Sequence, residues 1–168
     1  MSKMYRKTYR MTDDLRCQLQ PNGASCLLTS VACIIKEDVL ALMHELGHTG
    51  MDNIKCNGVI KKRGFNYEEI VRLLLRRQYL MTPIHSRIDI FDYENMLTEK
   101  PYTIQFTDLR EIMKGREGVV SNIDTHACAW FDNTVYDPAK GVEYSLDYFE
   151  EIYGKIFCFY NIQKFGIF

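Results

Sequence analysis

No stretch of this sequence approaches the roughly 20 consecutive apolar residues that cross a bilayer, so no membrane span is expected. Nor is there an excess of charge of either sign. The 21 Lys and Arg nearly balance the 22 Asp and Glu, which leaves no global field to gather nucleic acid or anionic lipid. The opening "MSKMYRKTYR" is basic but lacks the apolar region of a secretory signal, so the cytoplasm is the expected location. Prolines number only four, and no Gly/Ser/Pro linker, repeat or low-complexity tract occurs. One domain over 1–168 is expected, with residues 1–14 as a mobile tail. The six cysteines contain no C-x-x-C pair and fit no zinc-finger spacing. In a cytoplasmic chain they are expected to stay reduced. Cys33, Cys128 and Cys158 lie in apolar runs and read as small core residues.

The first half carries helical periodicity. "SCLLTSVACII" (25–35) places Leu27, Leu28, Val31, Ala32 and Ile35 at three- and four-residue steps. "KEDVLALMHELGH" (36–48) continues with Val39, Leu42, Met43 and Leu46, and Gly47 is the expected stop. "NYEEIVRLLLRRQ" (66–78) has Asn66 as a cap, acids in its first turn and arginines in its last, as the helix dipole favours. The second half is rich in β-formers. Strands are expected over 79–84, 102–106, 118–123, 126–131, 134–137 and 155–162, with short helices over 91–99 and 145–153. The stretches 50–64 and 85–92 read as loops. Helices first and a mostly antiparallel sheet second give an α+β fold, a helical layer packed on a sheet.

"THACAWFDNTVYDP" (125–138) is the most informative segment. Asp132 and Asn133 tolerate left-handed conformations, so they suit a tight turn between two β-rich runs. A two-residue turn there pairs Phe131 with Thr134, Ala129 with Tyr136 and Cys128 with Asp137. Faces alternate along a strand, so His126, Cys128 and Asp137 share one. Diagonal neighbours are within reach of long side chains. The hairpin therefore sets a carboxylate beside an imidazole, where it fixes the ring tautomer and steadies the protonated form. Asn133 is a weaker partner for His126, because a turn residue points away.

Upstream, "QPNGASC" (20–26) turns sharply and leads into the first helix with Cys26 at its start. A helix N-terminus offers unpaired N–H groups and partial positive charge, and both favour thiolate over thiol. The N–H of Cys26 and the side-chain amide of Gln20 are then candidate donors to an oxyanion.

Gln-x5-Cys opening a helix, followed far downstream by His and Asp on adjoining strands, resembles the papain-like cysteine peptidase superfamily. The similarity is closest to the C39-like branch of bacteria and phages. The stretches that carry it are "QPNGASCLLTSVACI", "LGHTGMD", "RGFNYEEIVRLLLRRQYLMTPI" and "GVVSNIDTHACAWFDNTVYDPAKG". They span roughly residues 18 to 142. Leu27 stands where papains carry Trp, and Ala24 where they carry Gly. The resemblance implies a papain-like fold and a thiol hydrolase with Cys26 as nucleophile. His126 is then its acid–base partner, Asp137 the group that orients His126, and Gln20 the oxyanion donor. It implies no cofactor and no metal, a protein or peptide substrate, and an intracellular setting, phage-encoded in flavour.

Two other readings stand beside it. "HELGH" (44–48) matches H-E-x-x-H, which on a helix turns two imidazoles toward one zinc, with Glu45 activating water. That zinc metallopeptidase needs a third ligand, for which Asp52, Glu68 and Glu69 are at hand, and a helix running through His48. The other reading is a papain-like scaffold that binds or inhibits a protein with its triad vestigial. "MYRKTYR" interleaves tyrosine with arginine, a pattern that can stack on single-stranded nucleic acid, but a tail or edge strand is the expected role.

Overall fold

Nine of the ten residues of the first helix, α1 (Cys26–Ile35), are buried, and only Cys26 at its tip is not. A helix apolar on every side belongs inside a protein, and α1 is the axis around which this chain folds. The computed structural model describes residues 14–86, 106–122 and 126–166. The expected mobile tail (1–13 of it), the helix at 91–99 and the strand over 102–105 lie outside the described residues.

Lys36 takes a left-handed conformation (φ 57°) and ends α1. Asp38 caps the next helix, α2 (Val39–Leu46), through a bond from the Leu40 N–H, and Gly47 closes it at φ 77°. The Asn-Gly pair at 57–58, with φ of 51° and 80°, then joins β1 (Asn53–Cys56) to β2 (Val59–Lys62) in a tight hairpin. This corrects the loop expected over 50–64. Asn-Gly is the strongest short-range hairpin signal, but it is flanked here by strands exposed at every position, which lack the in–out alternation of a half-buried strand. Helix α3 (Tyr67–Leu75) begins with a reciprocal capping box between Asn66 and Glu69.

The remaining elements are β3 (Tyr79–Ser86), α4 (Phe106–Met113), β4 (Glu117–Asn122), β5 (Ala127–Phe131), β6 (Thr134–Asp137), β7 (Val142–Tyr144), α5 (Leu146–Tyr153) and β8 (Ile156–Lys164). The six long-sheet strands run in the order β3-β8-β4-β5-β6-β7, every pair antiparallel. The fold is thus α+β. Phe106 opens a helix rather than closing a strand, which corrects that end of the 102–106 expectation.

The sheet carries helices on both faces, not on one. Val119, Ala127, Ala129, Tyr136 and Ile162 pack on the side of α1, α2 and α3. Val120, Cys128, Trp130, Val135 and Phe159 pack on the side of α4 and α5. The alternation in "HACAWF" and "TVYD" is therefore apolar on both faces. The sequence shows this as near-continuous hydrophobic runs, the mark of strands covered twice.

Candidate active site

The β5–β6 hairpin forms in the expected register: Phe131 pairs with Thr134 and Ala129 with Tyr136. Asp132 supplies the left-handed residue of the turn (φ 51°). His126 lies just ahead of β5, and its Nε2 meets Asp137 Oδ1 at 2.8 Å. The backbone of His126 is held by Asn122, whose Oδ1 accepts the His126 N–H at 2.8 Å.

Asp137 is wholly buried and saturated. Its Oδ1 accepts from His126 and from the Ala139 N–H (2.9 Å). Its Oδ2 accepts from the hydroxyls of Tyr144 (2.9 Å) and Tyr153 (2.5 Å). Burial alone raises a carboxyl pKa, yet the bonds from His126 and the two tyrosines outweigh it and hold Asp137 down to about 2. The imidazole shows the converse. Burial disfavours its charged form, but the bond to Asp137, helped by the nearby sulfurs of Cys128 and Cys26, prevails and pushes its pKa well above the ordinary histidine range. An imidazolium–carboxylate pair at neutral pH results.

Tyr144 and Tyr153 are the residues that sequence reasoning missed. Tyr153 also lays its ring on that of His126, centroids 4.5 Å apart and tilted by 39°. Its carbonyl accepts from the Asn122 side chain at 2.9 Å, which closes a loop of contacts around the imidazole. Tyr144 had a usable signal. The Pro138–Gly141 turn returns the chain along β6, pairing Val135 with Tyr144, and Val135 and Asp137 share a face. For Tyr153, at the far end of a helix, no local pattern points to Asp137.

Cys26 is partly exposed and faces a groove of about 530 Å³ that His126 also lines. Its thiol is close enough to the imidazole to help raise the His126 pKa. Because Nε2 is taken by Asp137, Nδ1 is the nitrogen left for sulfur. Ser30 joins the two sides: its hydroxyl reaches the carbonyls of Cys26 (2.8 Å) and Ala127 (3.3 Å), the latter next to His126. The first main-chain acceptor in α1 is the Ser25 carbonyl, bonded by the Thr29 N–H. The earlier N–H groups, that of Cys26 included, have no acceptor within the helix.

The approach to Cys26 is clasped by its own side chains. Asn22 Oδ1 takes the Ala24 N–H at 2.9 Å, and Ser25 Oγ bonds the Asn22 carbonyl at 2.9 Å. Gln20 sits against the Asp137–Pro138 corner, where its N–H donates to the Pro138 carbonyl at 2.9 Å. Its side-chain amide is engaged locally, Nε2 donating to the Asn22 carbonyl at 2.9 Å. One of its two amide hydrogens is thus committed to the turn. Gln20 is not among the residues that line the groove.

"HELGH" does not assemble. Helix α2 ends at Leu46, before His48, so the two imidazoles do not sit one turn apart on one helix. His48 is engaged on both nitrogens: Nε2 with Glu69 at 2.6 Å, and Nδ1 accepting the Gly50 N–H at 3.1 Å. Its ring stacks on Phe65. Glu45 is held by Arg76 and Arg77, tying α2 to the end of α3. These residues brace the fold, and His44 is exposed.

Among the described residues, one trio could hold a cation: a nitrogen of His126, the sulfur of Cys128 and an oxygen of Asp137, all within 4.8 Å. The donor set fits a metal poorly. Both Asp137 oxygens already accept two bonds each, and burial pushes the Cys128 thiol up to about 11, so it stays protonated. Among the described residues, no helix is long and apolar enough to cross a membrane. No family model matches the chain, and no curated protein or solved structure was found to be similar to it.

Proposed function

We propose that this protein is a thiol hydrolase of papain-like, C39-like type, cleaving an amide bond in a protein or peptide through Cys26, His126 and Asp137. The observation that carries the reading is the 2.8 Å contact between His126 and Asp137 behind an imidazole that lines the same groove as Cys26. The exposure of Cys26 alone among the residues of α1 supports it, since a structural cysteine of a buried helix has no reason to face solvent.

In this mechanism the Cys26 sulfur, as thiolate beside the His126 imidazolium, attacks the substrate carbonyl carbon. The carbonyl oxygen becomes an oxyanion next to the free N–H groups at the start of α1; Gln20, whose amide is turned to Asn22 outside the groove, serves as a further donor only if its side chain swings toward the sulfur. Collapse breaks the C–N bond, and His126 passes its proton to the departing amine, leaving a thioester. Neutral His126 then takes a proton from water, hydroxide adds to the thioester carbonyl, and the acid leaves as the thiolate and imidazolium are restored. Asp137, Tyr144 and Tyr153 do not touch substrate. They fix the ring so that Nδ1, not Nε2, serves the sulfur.

The test is labelling with a thiol-directed probe, followed by mapping of the modified residue. Cys26 is expected to react fastest, ahead of the exposed Cys56, and His126→Ala is expected to slow it at least tenfold. Cys56 reacting as fast as Cys26, or an unchanged Cys26 rate in His126→Ala, refutes the ion-pair mechanism.

A further inference from the structure

The β1–β2 hairpin contributes no residue to either buried cluster. An isolated two-stranded hairpin is marginal by itself, and among the described residues this one is anchored at its base. There the Arg63 N–H bonds the Asp52 carbonyl (2.7 Å) and the Gly64 N–H bonds the Gly50 carbonyl (2.9 Å). Yet its amino acids are not those of an idle loop. Val59 and Ile60 stand 65% and 71% exposed at the tip. Lys61, Lys62 and Arg63 follow, and all three line the groove that holds Cys26 and His126.

Among the described residues, no carboxylate lines that groove. Arg63 is matched in part by Glu69 at 3.3 Å. Lys62 reaches only the neutral Asn53 Oδ1, and among the described residues neither Lys61 nor Lys62 has an ion-pair partner. Asp137 does not offset them, because it is buried and paired with His126. In a chain of net charge −1, this is a local segregation of cations beside the reactive sulfur. The outer edge of β2 is also unpaired among the described residues, since β2 has β1 as its sole sheet neighbour. An extended polypeptide laid along such an edge finds main-chain partners, with alternate side chains free to be read.

We propose that this hairpin is the specificity arm of the groove and selects polypeptides that carry Asp or Glu beside the scissile amide. The inference rests on the hydrolase reading for its word "scissile", but the recognition itself needs no thiol chemistry. A nucleic acid fits the surface less well. The exposed tip residues are aliphatic and offer no ring face on which a base stacks.

The experiment measures fluorescence anisotropy of three labelled peptides against Cys26→Ala protein at low salt. The peptides share one alternating apolar backbone sequence and differ only in carrying Glu, Gln or Lys at the intervening positions. The Glu peptide is expected to bind about tenfold tighter than the Gln peptide, an advantage that shrinks as salt is raised. In the Cys26→Ala protein further changed by Lys61→Glu and Lys62→Glu, the order is expected to invert in favour of the Lys peptide. Both lysines are exposed on a hairpin outside the core, so this variant keeps its fold, which circular dichroism checks. Equal affinities, a Glu preference that survives the reversal, or displacement of the Glu peptide by a lower concentration of single-stranded oligonucleotide overturns the proposal. Charge-reversible Glu binding together with an inert Cys26 in the wild-type labelling assay upholds the arm and sinks only the hydrolase reading.

Discussion

Replacing Asp137 with Asn isolates the ionised carboxylate from the shape of its site. The amide is isosteric, so the cavity stays filled, but one carboxylate oxygen becomes an NH2 group facing donors. Four donors converge on Asp137: His126, the Ala139 N–H and the hydroxyls of Tyr144 and Tyr153. Breaking a buried ion pair by removing one partner costs about 3–5 kcal/mol. Only part of that belongs to ionisation. A carboxyl held at about 2 instead of its ordinary 3.8 contributes about 2–3 kcal/mol at 1.36 kcal/mol per tenfold.

The two portions separate by pH. Asp137 has a depressed folded-state pKa, so its contribution is full above about pH 4 and is lost as pH falls toward 2. About 1 kcal/mol of it is gone by pH 3. His126 has a raised folded-state pKa, so its contribution is full below its ordinary 6.5 and declines as pH rises above that value. The stability gap between wild type and Asp137→Asn is therefore widest between roughly pH 4.5 and 6.5 and narrows on both sides. Urea unfolding at pH steps from 3 to 9, followed by tryptophan fluorescence of the buried Trp130, measures it. A gap that stays flat across this range, or widens toward pH 3, shows that the carboxylate is not the charged, clamped group described here.

Tyr153→Phe keeps the ring on His126 but removes a hydrogen bond to a charged oxygen, for a loss of about 1.5–3 kcal/mol. Because that bond helps depress the Asp137 pKa, the acid loss of stability is expected to be smaller than in wild type and to be complete at a higher pH, with its onset near pH 4 unchanged, which the same titration detects. Gly118→Ala is expected to cost about 3 kcal/mol or more and to lower the melting temperature by about 10 °C, read by calorimetry. A Cβ there meets the Tyr160 carbonyl oxygen at 1.8 Å and the Trp130 ring at 2.6 Å. That oxygen belongs to the neighbouring strand β8 and has no freedom to retreat.

What the sequence disclosed and what it hid divide along the range of the interactions involved. Capping at Asn66, the stop at Gly47 and the turn at Asp132–Asn133 are local chemistry, settled within a few residues, and each stands where the pattern put it. The same local register carried His126 to Asp137. The β1–β2 hairpin was hidden for a different reason. Its turn was written in Asn57–Gly58, but exposure on both faces erased the alternation by which a strand is recognised. The clamp of Tyr153 was hidden because it depends on where α5 docks, a matter of tertiary packing among Trp130, Phe149 and Phe159 that no local window contains. "HELGH" is the reverse case, a complete local match whose meaning was decided from afar. Arg77 holds Glu45 from the turn just past α3, and Glu69, brought in by the capping box, takes His48. The five-residue motif was legible, but its partners lay 21 and 32 residues further along the chain, and they turned two zinc-type side chains into braces. A chemical motif acquires its function only when the fold leaves its side chains unspent. By that measure Cys26, left facing the groove at the tip of an otherwise buried helix, has the better claim to chemistry.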